Sequence, residues 1–253
     1  MRALVLEVCK TLERENIPYC LMRDGDQLEQ LLKGGEVDLL ILENRLASLQ
    51  DLLSQLSFRR LPSGGYAPHH FFVAYDRDSQ AWLKLDVVTE VAYGRPIPAL
   101  RTALGDHCLS HRRRSGPVFV PAPEDELVTL LLHCVLDKEC FAPTRRRRLQ
   151  ALCRQIGDEQ YLAALLADYW SPTMSWSQLA ALIEAENWTA LLAERKTVIS
   201  RLAGRDRLGT LGRQIGNRVR RKLNRWAGRL LNHRVGQEQQ DQGDGAAGLE
   251  EKY

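Results

Sequence analysis

The stretch Gly34-Gly35-Glu36-Val37-Asp38-Leu39-Leu40-Ile41 sets two carboxylates into an apolar run that reads as a buried strand. A second such run, Trp82-Leu83-Lys84-Leu85-Asp86-Val87-Val88, carries a third. Carboxylates are rarely fully buried unless they are paired or bound to a metal. Glu36 and Asp38 alternate across Val37, so a strand points both to one face. Asp86, on a separate strand, completes a candidate cluster for Mg²⁺, a hard cation that takes oxygen ligands and handles phosphate. The competing reading is two solvated strand ends that carry acids. Apolar residues on both sides of each acid weigh against it.

The rest of the first 90 residues is an alternation of short elements. Leu4, Val5, Val8 and Leu12 recur at helical spacing over 2–15, and Asn16 with Pro18 ends that helix. Tyr19-Cys20-Leu21-Met22 reads as a short strand and Arg23-Asp24-Gly25-Asp26 as a turn. A helix through Leu28, Leu31 and Leu32 leads to the Gly34-Gly35 entry of the acid-bearing strand. Leu46, Leu49, Leu52, Leu53 and Leu56 mark another helix, and 58–61 another strand. Residues 70–75 and 81–88 read as an antiparallel pair across a polar turn. Residues 92–116, with Pro96, Pro98 and a basic run, read as a connection before a short strand at 118–120. From Pro123 the pattern is helical, with proline and acids in the first turn. Further helices are expected at 144–156, 158–169, 175–185 and 187–203. The fold class expected is α+β (mixed α/β). A mixed-sheet domain over 1–120 precedes a helical domain over 121–204, a basic amphipathic helix over 205–234 and a disordered tail over 235–253.

The net charge of +3 conceals an asymmetry. Residues 201–234 hold 11 Lys/Arg against one acid, and residues 235–253 hold one Lys against five acids. The first 200 residues are therefore mildly acidic, and the positive charge is concentrated in one segment. Within it Leu208, Leu211, Ile215, Val219, Leu223, Trp226 and Leu230 recur every three or four residues among arginines. That is the pattern of a helix lying on an anionic membrane surface, or docking a partner protein. The single aromatic Trp226 argues against a nucleic-acid surface, which needs stacking platforms. No run is long and apolar enough for a membrane span, and the N-terminus lacks a signal peptide's apolar segment. The six cysteines form no CxxC pair and read as buried free thiols. A cytoplasmic protein, peripheral to the inner membrane face through 205–234, is expected.

Nucleotidyl transfer needs a divalent metal to bridge the phosphates and neutralise developing charge. A Glu-Val-Asp pair on one strand face, with Asp86 on a neighbouring strand, could supply that site, and the third acid could take the proton of an attacking hydroxyl. The order of these features resembles the polymerase-β-type nucleotidyltransferase superfamily, in which a Gly-rich turn precedes acid-x-acid and a lone acid follows on a later strand. Residues about 3–230 more closely resemble a nucleotidyltransferase-like domain often fused ahead of a thymidylate-kinase-like domain in bacterial exopolysaccharide gene clusters. The matching residues are Tyr19 to Arg23, Glu36-Val37-Asp38-Leu39-Leu40, Leu83-Lys84-Leu85-Asp86, and Val120 to Glu126 with Leu132-His133.

The resemblance implies Mg²⁺-dependent transfer of a nucleotidyl group from an NTP to a hydroxyl acceptor, in envelope or exopolysaccharide metabolism. Glu36, Asp38 and Asp86 would hold metal, and Asp86 would also serve as the base. Arg23, Gly25 and Lys84 would contact the nucleotide phosphates. Three departures stand out: Arg23-Asp24-Gly25 where the family has Arg-Gly, Glu36 where it has Asp, and no GxxxxGK[ST] anywhere. The first two favour the alternative of a catalytically degenerate scaffold or partner-binding module at the membrane surface. His69-His70 reads as a strand edge, His133 as a core histidine, and Arg145 to Arg148 as a solvated run or an anion-binding patch.

Overall fold

The computed structural model describes residues 2–22, 36–61, 68–94 and 99–205, together with Gly212. Contacts between Cα atoms divide the chain into Met1–Asp206 and Arg207–Tyr253, and the account below concerns the first unit. Arg23, Gly25, the helix expected through Leu28, most of the helix expected over 205–234, and the tail lie outside the described residues.

Among the described residues the centre is a five-stranded mixed sheet in the order β1-β2-β5-β4-β3. Its strands are β1 (Tyr19–Leu21), β2 (Glu36–Ile41), β3 (Arg59–Arg60), β4 (His69–Asp76) and β5 (Ala81–Val88). β1 pairs antiparallel with β2, β3 with β4 and β4 with β5, whereas β2 and β5 run parallel. Period-2 alternation then sorts the side chains. Val37, Leu39, Ile41, Leu83, Leu85 and Val87 share a core with α1 (Arg2–Arg14) and α2 (Leu46–Gln55). Cys20, Leu40 and Val88, on the other face, join a second core built mainly from helices. Burying one such Leu or Val stabilises by roughly 1.5–3 kcal/mol. β2 is thus apolar on both faces except at its first turn of pleat, where Glu36 and Asp38 stand.

Residues 92–94 and 99–116 form more regular structure than a connecting segment would. Short pairs β6 (Ala92–Tyr93) with β7 (Leu100–Arg101) and β8 (Arg113–Ser115) with β9 (Val118–Val120) flank a helix, α3 (Leu104–Ser110). Leu104, Cys108 and Leu109 of α3 are buried, and Gly105 passes so close that its built Cβ would sit 3.6 Å from Leu40 Cδ1. The chain then turns helical as expected: α4 (Pro123–Leu132), α5 (Pro143–Cys153), α6 (Glu159–Tyr169), α7 (Trp176–Glu184), α8 (Trp188–Ala193) and α9 (Arg195–Arg205). One expected helix over 187–203 is two, broken at Glu194. α4 continues as a π-helical segment, His133–Lys138. There His133 Nδ1 lies 3.0 Å from Asp137 Oδ2, and Asp137 Oδ1 accepts from Gly94 N at 2.8 Å, tying this helix to β6.

The acids that open α4 do more than complement the helix dipole. Glu124, Asp125 and Glu126 are all buried, and each has its own partner. Glu124 Oε1 accepts from the backbone N–H of Gly157 (2.8 Å) and Asp158 (3.0 Å), just ahead of α6. Asp125 Oδ1 accepts from Tyr161 Oη at 2.6 Å. Glu126 receives a two-point contact from Arg148, Nε to Oε1 at 2.6 Å and Nη2 to Oε2 at 2.5 Å. This corrects the reading of the arginine run as solvated: Arg148 is core, and Arg146 donates from Nε to Phe141 O at 2.7 Å.

Glu124→Ala strands two amides just ahead of the N-terminal end of α6. A hydrogen bond to a charged group contributes about 1.5–3 kcal/mol, so the loss should be about 3 kcal/mol, with roughly half of that for Glu124→Gln. Urea unfolding should show it as a lower midpoint with unchanged slope. Equal midpoints for Glu124→Ala and wild type would remove Glu124 as the link between α4 and α6.

Candidate active site

The parallel pairing of β2 with β5 sets Glu36 opposite Lys84 and Asp38 opposite Asp86. The antiparallel pairing of β5 with β4 sets Phe71 opposite Asp86 and His69 opposite Val88. Directly opposed residues on neighbouring strands point to the same face. Glu36, Asp38, Lys84, Asp86, Phe71 and His69 therefore line one side of the sheet, the side on which Leu40 meets the helices. One oxygen of each of Glu36, Asp38 and Asp86 lies within 4.8 Å of the other two. Asp86 is buried, Asp38 half-buried and Glu36 exposed, so the cluster runs from the interior outward.

Two nitrogen groups brace the acids. Lys84 Nζ lies 2.8 Å from Glu36 Oε1 and 4.0 Å from the centroid of the Phe71 ring. His69 Nδ1 lies 2.9 Å from Asp86 Oδ1 and 3.1 Å from Oδ2. An ionised carboxylate only accepts, so the hydrogen of that contact is on Nδ1. His69 is thus a member of the site that its sequence context hid, because a His-His pair at a strand start reads as an edge. Only the registry with β5 reveals it. The backbone also helps to fix Asp38, whose carbonyl accepts from Met22 N at 2.9 Å and so ties β1 to the acid-bearing end of β2.

His70 points to the opposite face, where Arg60 Nη2 lies 3.3 Å from its Nδ1. Burial, then Arg60, then His69 lower its proton affinity from the usual 6.5. A histidine whose folded-state affinity is depressed contributes stability that is fully present above the unfolded value and is lost as pH falls below it. Denaturation midpoints of wild type and His70→Gln should accordingly differ by a constant amount above about pH 6.5 and diverge from that constant below it, wild type losing more. A pH-independent difference would show that His70 does not titrate in this window.

The donor set suits Mg²⁺. All three ligands are hard carboxylate oxygens, and Mg²⁺ takes these at about 2.0–2.1 Å in octahedral array, so neighbouring donors stand roughly 3 Å apart. The three acids, with one oxygen of each within 4.8 Å of the others, are the residues here that could hold such an ion. A cleft of about 430 Å³ lies elsewhere, at the C-terminal end of β2, lined among others by Leu40, Glu43, Thr89, Gly105 and Tyr169. It holds none of the three acids.

No protein-family profile and no curated protein matches the sequence. Among solved structures the chain is similar to the antibiotic-resistance factor ANT(2'')-Ia, at 13% identity over 74% of this chain and 96% of that one, with a TM-score of 0.43. It is also similar to a protein from H. pylori provisionally called a nucleotidyltransferase, at 13% identity over 81% of this chain and 95% of that one, with a TM-score of 0.31.

Proposed function

We propose that this protein catalyses Mg²⁺-dependent transfer of a nucleotidyl group from an NTP to a hydroxyl acceptor, in envelope or exopolysaccharide metabolism. The observation that carries the reading is the convergence of Glu36, Asp38 and Asp86 from two parallel strands onto one sheet face. A bound divalent metal would supply positive charge to offset the charge that builds on the phosphates. Glu36 and Asp38 would hold it from the open side of the cluster. Asp86 would share it from the buried side and accept the proton of the attacking hydroxyl. His69 donates to Asp86 and fixes the direction of its lone pairs. Lys84 exchanges Glu36 for a phosphate oxygen as substrate enters, its stem kept in place by Phe71. Arg23 and Gly25, which lie outside the described residues, contact phosphate in this scheme. The segment 205–234 brings the protein to an anionic membrane surface or to a partner protein.

Calorimetry with Mg-NTP on wild type and Asp38→Ala tests the proposal. Wild type should bind an NTP in a Mg²⁺-dependent manner, and the variant should bind at least tenfold more weakly. Absence of binding to wild type at millimolar nucleotide would reject the enzyme and favour a second reading. The Lys84–Glu36 pair supports that second reading, because it satisfies one acid without any ligand. In it the same fold is a non-catalytic module.

A further inference from the structure

A second convergence of polar groups lies between three helices and shares no residue with the acid cluster. His107 and His111 stand four apart on α3 and its C-terminal cap, and so face the same way. Tyr161, in the first turn of α6, places its hydroxyl between them, 3.1 Å from His107 Nδ1 and 2.9 Å from His111 Nδ1. The same hydroxyl donates to Asp125 Oδ1 of α4 at 2.6 Å. One donor atom of each of His107, His111 and Asp125 lies within 4.8 Å of the others.

Hydrogen bonding alone leaves this knot incomplete. A phenol has one hydrogen and two lone pairs, so Tyr161 serves Asp125 as donor and both imidazoles as acceptor. Asp125 is 0% exposed, yet its second oxygen, Oδ2, has no hydrogen-bond partner. His111 Nδ1 lies 3.7 Å from it, beyond hydrogen-bond reach. A buried carboxylate oxygen without a partner is costly and calls for an ion or a proton.

We propose that His107, His111, Asp125 and Tyr161 bind one Zn²⁺ ion that staples α3 to α4 and α6. Zn²⁺ is held tetrahedrally by nitrogen and oxygen donors at about 2.0–2.2 Å, which sets neighbouring donors roughly 3.3 Å apart. The Tyr161 hydroxyl lies 2.6 to 3.1 Å from its three neighbours, and His107, His111 and Asp125 offer donor atoms within 4.8 Å of one another, close enough to gather round one ion. Two imidazoles in the set select a transition ion over Mg²⁺ or Ca²⁺. On binding, each imidazole hydrogen moves to Nε2, the phenolic hydrogen leaves to solvent, and Asp125 turns its second oxygen inward to the ion. His111 is exposed and gives the ion a route in. The inference is independent of the nucleotidyl-transfer reading.

The test uses the full chain carrying Asp38→Ala, which disables the other oxygen cluster. The protein is stripped with EDTA and titrated with ZnCl₂ alone. One equivalent should bind, and His111→Gln, at an exposed position that leaves the fold intact by circular dichroism, should weaken binding about 100-fold. Co²⁺ in place of Zn²⁺ should give the intense visible band of tetrahedral coordination, lost in both His111→Gln and Tyr161→Phe. Equal Zn²⁺ affinity in His111→Gln, or uptake by the parent only at millimolar metal, overturns the site.

Discussion

Asp86→Asn is expected to reduce the proposed nucleotidyl transfer by about 10²–10⁴-fold, the range lost with a positioned acid–base group, and to weaken Mg²⁺-dependent NTP binding as well, since Asp86 is also proposed to share the metal. Asparagine is the same size, and its amide oxygen still accepts from His69 Nδ1, so the 2.9 Å contact and the sheet register should persist. What disappears is the charge and the capacity to take a proton. Pyrophosphate release from NTP, with water replacing the acceptor where no better one is found, reads the effect. His69→Gln should lose less, because it only orients Asp86, and should steepen the pH dependence of the rate. Retention of more than a tenth of wild-type turnover by Asp86→Asn would leave Asp86 with a structural role only. Asp38→Ala serves as the contrast, since its loss should appear first in metal-dependent binding.

Arg148→Met should be the most damaging single change outside the acid cluster. Both partners of the Arg148–Glu126 pair are buried, with side-chain exposures of 7% and 5%. Removing one partner of such a pair leaves an uncompensated charge and costs about 3–5 kcal/mol. For a folded unit of this size a loss of 1 kcal/mol lowers Tm by roughly 2–4 °C, so a fall on the order of 10 °C is expected by calorimetry. The double variant Glu126→Leu/Arg148→Met removes both charges and should recover most of that loss, since apolar replacement of a whole buried pair is often neutral. Additive losses in the double variant would mean that each residue acts through contacts other than the pair.

These two sites differ in how much of them the sequence discloses. Period-2 alternation exposes β2 and β5 directly, and acids that interrupt apolar strands stand out against it. What alternation does not disclose is which strands are neighbours. The Lys84–Glu36 contact spans 48 positions, and it exists because β2 and β5 pair in parallel. His69 entered the cluster by the same route, through β4. Arg148 gives no local sign of burial, since three further arginines precede it and its partner Glu126 lies 22 positions back. The helix α3 was hidden by its brevity, seven residues between a proline-rich stretch and a basic run. Without that helix the His107–His111 spacing has no meaning, so the second cluster was illegible as well. Glu194, where one expected helix becomes two, carries no proline or glycine, and no residue at the junction forbids continuation.

The acids at the start of β2 also act as a lock against mispairing. Strand side chains alternate, so a slip of one residue exchanges the two faces of a strand. Apart from its acids β2 is apolar on both sides, and an aliphatic strand of that kind tolerates either registration against β5. Glu36 and Asp38 remove the ambiguity. A one-step slip of β2 would drive Asp38 into the aliphatic layer where Val37, Leu39 and Leu85 now pack against α1 and α2. An unpaired carboxylate there carries a penalty that no competing arrangement recovers. The residues proposed to do the chemistry therefore also dictate which of two near-equivalent sheets can assemble. Replacing Asp38 and Asp86 together by valine would relieve their mutual repulsion, yet it would leave the chain free to settle into more than one alignment.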